Sequence, residues 1–163
     1  MVLSVRMEPP HTTRLATPDD APVLAEMRRR MFLSMGKPDD QRMQRVVEAF
    51  TVWVADAIRR GIYIGWVVET AAHVPVANAG MLLMEWPPNL RDLGPVRGYI
   101  LNVWTEPEHR RKGIARGLME TVMAEARRRE IRVMTLHASD EGKQVYEKLG
   151  FRRTREMMFV EPD

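Results

Sequence analysis

A short basic segment, Arg110-Arg111-Lys112-Gly113-Ile114-Ala115, joins two runs of opposite character. Residues 98–105 before it are apolar and strand-like. After it, Ile114, Leu118, Val122 and Ala126 recur on one helical face, with Ala115, Met119 and Met123 beside them. A strand that turns through a glycine-containing basic loop into a helix makes an anion site. The first helical turn has backbone N–H groups without intrahelical partners, and the macrodipole adds partial positive charge there. Phosphate groups fit that end. Gly113 lets a ligand come close to the backbone because it has no Cβ, and Arg111 and Lys112 add formal charge.

Either side of this unit, the pattern predicts a strand at 11–16, then a helix begun by Thr17-Pro18-Asp19-Asp20. Val23, Leu24, Met27 and Met31 form its stripe, and Gly36-Lys37-Pro38 breaks it. A second helix starts at Asp39 or Asp40, carries Met43, Val46, Val47, Phe50, Val54 and Ile58, and stops at Gly61. Strands at 62–68 and 76–86 make an antiparallel pair around a turn. Residues 131–136 form a further strand, 140–149 a short helix ended by Gly150, and 151–160 a final strand or strand pair. The order β-α-α-β-β-β-α-β-α-β indicates an α/β or α+β sheet.

Two blocks resemble one family. Arg110-x-x-Gly113-x-Ala115 resembles the (Gln/Arg)-x-x-Gly-x-(Gly/Ala) signature of the GCN5-related N-acetyltransferases (GNAT), whose loop holds the pyrophosphate of acetyl-coenzyme A. Val145-Tyr146-Glu147-Lys148-Leu149-Gly150-Phe151 is similar to the family's Leu-Tyr-Glu-Lys-Leu-Gly-Phe and stands in the family's order and spacing. The resemblance implies a mixed, mainly antiparallel sheet flanked by helices. A splayed parallel pair, between the strands ending at Thr105 and Leu136, would form the cofactor cleft. The whole chain, 1–163, reads as one domain with 1–10 a loose lead-in.

The resemblance also assigns roles. Arg111, Lys112, Gly113, Ile114, Ala115 and Arg116 fall on the pyrophosphate loop. Val103, Trp104 and Thr105 fall on the strand end whose backbone pairs with the pantetheine arm, with the Val103 N–H as candidate oxyanion donor. Ser139 stands where many members have an Asn touching the cofactor. Tyr146 stands where a Tyr gives a proton to the departing sulfur, although its ring could also simply pack between helix and sheet. Some members carry a basic Glu on the strand matching 133–135; this chain has Met134 there. Glu85, late in the preceding strand, is the first choice of base, followed by Glu106, His137 and Asp140, with a water chain as the alternative. The N-terminal helices and the loops at 35–40 and 85–94 would build the acceptor site. Met27, Met31, Phe32, Met35, Met43, Phe50 and Trp53 read as core, or in part as an apolar acceptor wall.

Composition removes other chemistries. The chain has no cysteine, hence no thiol nucleophile, disulfide or Cys-ligated zinc. His11, His73, His109 and His137 form no metal-ligand spacing, so no metal is expected. No run reaches the ~20 apolar residues of a membrane span, and no leader pattern opens the chain, so a cytoplasmic location is expected. Of 25 basic residues only four are Lys, but a net charge of +3 is modest for a nucleic-acid surface. Arg28-Arg29-Arg30 and Arg127-Arg128-Arg129 are expected near helix C-termini. The resulting expectation is an N-acetyltransferase that uses acetyl-CoA as co-substrate and moves acetyl directly to a primary amine of a small molecule or peptide. No nucleic acid or membrane partner is expected. A non-catalytic CoA-binding protein of the same fold is the alternative. Acceptor identity stays open, as does a homodimer, an arrangement common among look-alikes.

Overall fold

The computed structural model describes residues 11–161, so the expected lead-in at 1–10 lies outside it. Five strands form one sheet in the order β1-β2-β3-β4-β5. They are β1 (His11–Leu15), β2 (Tyr63–Thr70), β3 (Pro75–Glu85), β4 (Val96–Thr105) and β5 (Met134–Leu136). The first three pairings are antiparallel and β4–β5 is parallel. Helices α1 (Ala21–Ser34) and α2 (Gln41–Arg59) lie between β1 and β2, α3 (Ile114–Arg128) between β4 and β5, and α4 (Asp140–Lys148) after β5.

The sheet has two apolar faces. Trp66, Val68, Ala77, Ala79, Met81 and Ile100 pack with Ile114, Leu118, Met119 and Val122 of α3. Tyr63 and Val67 pack with Leu24, Ala25, Phe50 and Val54 of α1 and α2. Val46, expected on the α2 stripe, is exposed instead.

Local signals set the helix ends. Asp40 caps α2 by accepting from the Met43 N–H. Asp20 reaches back to accept from the Thr17 N–H at 2.7 Å, and its carboxylate also takes both Arg14 Nη atoms at 2.8 Å, tying edge strand β1 to α1. All four α-helices stop in the same double-bonded turn, in which a left-handed residue is followed by an N–H that reaches back five residues. Gly36, Gly61 and Gly150 supply the turn in three, and Glu130 in the fourth.

That last turn corrects one expectation. Ile131, expected to begin a strand, donates its N–H to Ala126 O and closes α3, so β5 starts only at Met134. Residues 151–160 form no strand. Phe151 closes α4 through Tyr146 O, and three-residue β5 offers little edge to pair with. Arg28, Arg29 and Arg30 sit more than a turn before the end of α1, so they do not serve its C-terminal dipole. Arg127 and Arg128 do occupy the last turn of α3.

β4 and β5 pair only from Gly98 to Ile100 and from Met134 to Leu136. Beyond Ile100, β4 continues to Thr105 with no neighbour on its β5 side. The parallel pair therefore splays, and the phosphate loop begins at the open end.

Candidate active site

A cavity of about 1200 Å³ fills the splay. Val103, Trp104 and Thr105 form one wall, Gly113, Ile114 and Ala115 the floor, and Ser139, Gly142 and Tyr146 the opposite wall. Of the residues expected to hold the cofactor, only Lys112 does not line it.

The loop is shaped to accept an anion. Arg111 has φ +60° and Gly113 φ +76°, so two left-handed residues curl the backbone just before α3. Among the described residues, the N–H groups from Arg111 to Arg116 donate to no carbonyl or side chain. A Cβ on Gly113 would meet nothing within 4 Å, so this position faces open space. Arg110 braces the loop, donating from Nε to Thr105 O at 3.1 Å while its guanidinium lies 4.7 Å from the Trp104 ring. Arg116 is paired with Glu120 at 2.9 Å. Arg111 and Lys112 have no ion pair among the described residues, so their charge is available to a ligand. Trp104 Nε1 and Thr105 Oγ1 are buried without partners beside this cavity. These unpartnered donors fit a ligand carrying phosphates and amides, as coenzyme A does.

Tyr146 both packs and faces the cavity. Its ring packs on Phe151 with centroids 6.0 Å apart, and it also lines the cavity. Burial pushes its phenol above the ordinary value, so it stays protonated at neutral pH. Ser139 caps α4, with Oγ accepting from the Gly142 N–H at 3.2 Å, and keeps its own proton to donate.

Glu85 is not brought here. Strand β3 runs antiparallel to β4, so its last residue pairs with Val96, seven residues and about 20 Å along the strand from Val103. The loop after Glu85 follows it to that end and faces Arg129–Arg132 across a separate cavity. Trp86, in the loop at 85–94 expected to help build the acceptor site, stacks under Arg97 at 3.7 Å. Glu106 is engaged by Arg30 at 2.8 Å.

Sequence reasoning missed Ser34, Tyr99 and Asn102. Met31 and Met35 of α1, read from sequence as core or in part as an acceptor wall, line the cavity, and Ser34 lines it from the same helical face. Tyr99, within the β4–β5 pairing, hydrogen-bonds Nδ1 of His137, the residue just past the last pair. Next to Val103, Asn102 has φ +57° and donates to the Tyr63 hydroxyl at 3.0 Å. Among the described residues no three metal-ligating side chains gather, and no helix is long and apolar enough to cross a membrane.

Comparison with known proteins agrees with this geometry. The family model described as an acetyltransferase (GNAT) domain matches residues 48–153. A GCN5-related N-acetyltransferase from Ralstonia eutropha JMP134 is 32% identical over 93% of this chain and 99% of its own, with a TM-score of 0.87. A predicted acetyltransferase from Clostridium acetobutylicum, solved with acetyl-CoA, is 27% identical over 93% of this chain and 96% of its own (TM-score 0.81). Glucosamine-6-phosphate N-acetyltransferase from Arabidopsis thaliana, 18% identical over 94% and 99% of the two chains, shares the fold at a TM-score of 0.69. No protein of curated function matches the sequence.

Proposed function

Because the chain belongs to the GNAT acetyltransferase family, we propose that it transfers acetyl from acetyl-CoA directly to a primary amine in a ternary complex. The observation that carries this reading is the run of unpartnered N–H groups from Arg111 to Arg116 at the floor of the splayed cavity. Acetyl-CoA would supply an activated thioester. The chain's residues do the rest. Loop 111–116 holds the pyrophosphate. The free side of β4 aligns the pantetheine arm, and the Val103 N–H steadies the carbonyl oxygen as charge develops on it. The amine nitrogen bonds to the carbonyl carbon as the carbon–sulfur bond breaks. Tyr146 gives its proton to the departing sulfur. His137, hydrogen-bonded to Tyr99 just beyond β5, would take the ammonium proton toward solvent.

The test is calorimetric titration with acetyl-CoA beside Gly113→Asp. The left-handed backbone tolerates Asp, and the new carboxylate would enter the anion cradle. Binding by the wild type that weakens at least tenfold in the variant supports the reading. A wild type that does not bind acetyl-CoA refutes it.

A further inference from the structure

Arg28 lies on α1 three residues before Met31 and seven before Met35, on the face that lines the cavity. Its guanidinium is half-buried, 4.7 Å from the Phe32 ring and 4.9 Å from the Phe50 ring. Nη1 donates to Asn102 Oδ1. Nε is buried with no partner, and Nη2 makes no hydrogen bond among the described residues. No carboxylate pairs with it there either. Its neighbours differ: Arg29 pairs with Asp39 and Glu26, and Arg30 with Glu26 and Glu106. Burial lowers the Arg28 guanidinium below its ordinary value, and the ionisable groups acting on it are the phenols of Tyr63 and Tyr99, not an acid.

A buried cation without a counter-charge is costly, and the cost falls when a ligand brings the charge. The edge formed by Nε and Nη2 is the one that takes a carboxylate through two parallel hydrogen bonds. Nη1 is held by the neutral Asn102, so a single negative charge completes the site. Asn102 directly precedes Val103, about 3.8 Å along the backbone. Arg28 is therefore joined, through one side chain, to the residue beside the proposed oxyanion donor.

We propose that Arg28 anchors a carboxylate on the acceptor, which makes the substrate class a short amine of the amino-acid type. This rests on the acetyl-transfer reading, which alone puts an acceptor beside Val103.

The test compares the twenty protein amino acids, as free acids and as carboxamides, with acetyl-CoA and the wild type, Arg28→Met and Asn102→Asp. Thiol release reports transfer, and the thermal shift of the CoA-loaded protein reports acceptor binding. The wild type should prefer at least one acid over its amide by tenfold or more in kcat/KM, and that acid alone should raise Tm. Arg28→Met should cut the acid's kcat/KM by about 10–100-fold, abolish its Tm rise, and leave the amide and acetyl-CoA affinity unchanged. Asn102→Asp should do the same by occupying Arg28 internally, which guards against a poorly folded Arg28→Met. If acetyl-CoA binds but acids and amides behave alike, or no acid reacts, this inference falls and the transferase reading stands. If acetyl-CoA does not bind, both fall.

Discussion

Gly80→Ala tests how the sheet supports the acceptor side. Gly80 sits in β3, where a built Cβ would stand 1.9 Å from the Tyr63 hydroxyl oxygen and 2.3 Å from its Cζ. The Tyr63 ring crosses the sheet directly over this glycine. It cannot step aside cheaply. It is 1% exposed, its ring meets Trp53 at 5.8 Å, and its hydroxyl accepts from Asn102. Overpacking such a site costs about 1–3 kcal/mol. Moving the phenol also leaves a buried amide unpaired, at about 1–3 kcal/mol more. The expected loss is therefore roughly 2–6 kcal/mol, a large part of the ~5–15 kcal/mol that holds a typical domain together.

The assay is urea unfolding at pH 7 of wild type, Gly80→Ala, Tyr63→Leu and the double variant. Leu removes the ring that the new methyl group would strike, so the second substitution should cost under ~1 kcal/mol in that background, and the pair should be strongly non-additive. Displacing Tyr63 also loosens Asn102 and, through it, Arg28. In Gly80→Ala the acceptor KM should rise while acetyl-CoA affinity holds. A Gly80→Ala midpoint equivalent to the wild type within ~0.5 kcal/mol, or additive costs in the double variant, would refute the argument.

Tyr146→Phe keeps the ring that packs on Phe151, so the urea midpoint should hold while kcat drops by about 10²–10⁴-fold; a drop in stability with unchanged kcat would make Tyr146 a packing residue only. Glu125 is held at about 2 by hydrogen bonds from Arg128 and Arg129. Its contribution is fully present above about pH 4.5 and is lost as pH falls toward 2, so Glu125→Gln should flatten the urea midpoint against pH in that window; an unchanged slope would contradict it. Leu118, fully buried under α3, should cost about 2–5 kcal/mol on truncation to Ala. Calorimetry would then show acetyl-CoA affinity unchanged once the variant is folded, unless the α3 core and the loop are coupled more closely than their separation on the helix indicates.

Much of the fold was legible because it is written in periods and caps. The apolar stripe of α3, Asp40 before α2, and Gly36, Gly61 and Gly150 after their helices each act within one turn of chain. The errors came where tertiary packing overrides such signals. Ile131 looked like a strand residue, yet the Glu130 turn folds it back onto Ala126 to finish a helix. The apolar run at 157–160 looked like a strand, but its available edge is only Met134–Leu136. Glu85 was chosen for its place late in its strand, but antiparallel pairing sets that end beside Val96, away from the open end of β4.

The two halves of the site differ for a deeper reason. The phosphate half is made by consecutive backbone groups, so one six-residue motif announces it. The proposed acceptor half draws instead on side chains from α1, β2, β4 and the end of β5: Arg28, Tyr63, Tyr99, Asn102 and His137. Their convergence depends on an irregularity in β4. Between Asn78 and Gly80 the β3–β4 register shifts, so β4 carries one extra residue. Strict alternation would put Leu101 and Val103 on one face and Asn102 on the other. Instead Leu101 packs toward α1 and α2, Val103 packs toward α3, and Asn102 turns to join Arg28 and Tyr63 on Leu101's side. A single inserted residue thus moves an amide across the sheet and gives Arg28 its only hydrogen-bond partner among the described residues. Removing the bulge by deleting one residue at 102 should cost acceptor recognition before it costs the phosphate cradle, because the cradle is built from backbone beyond it.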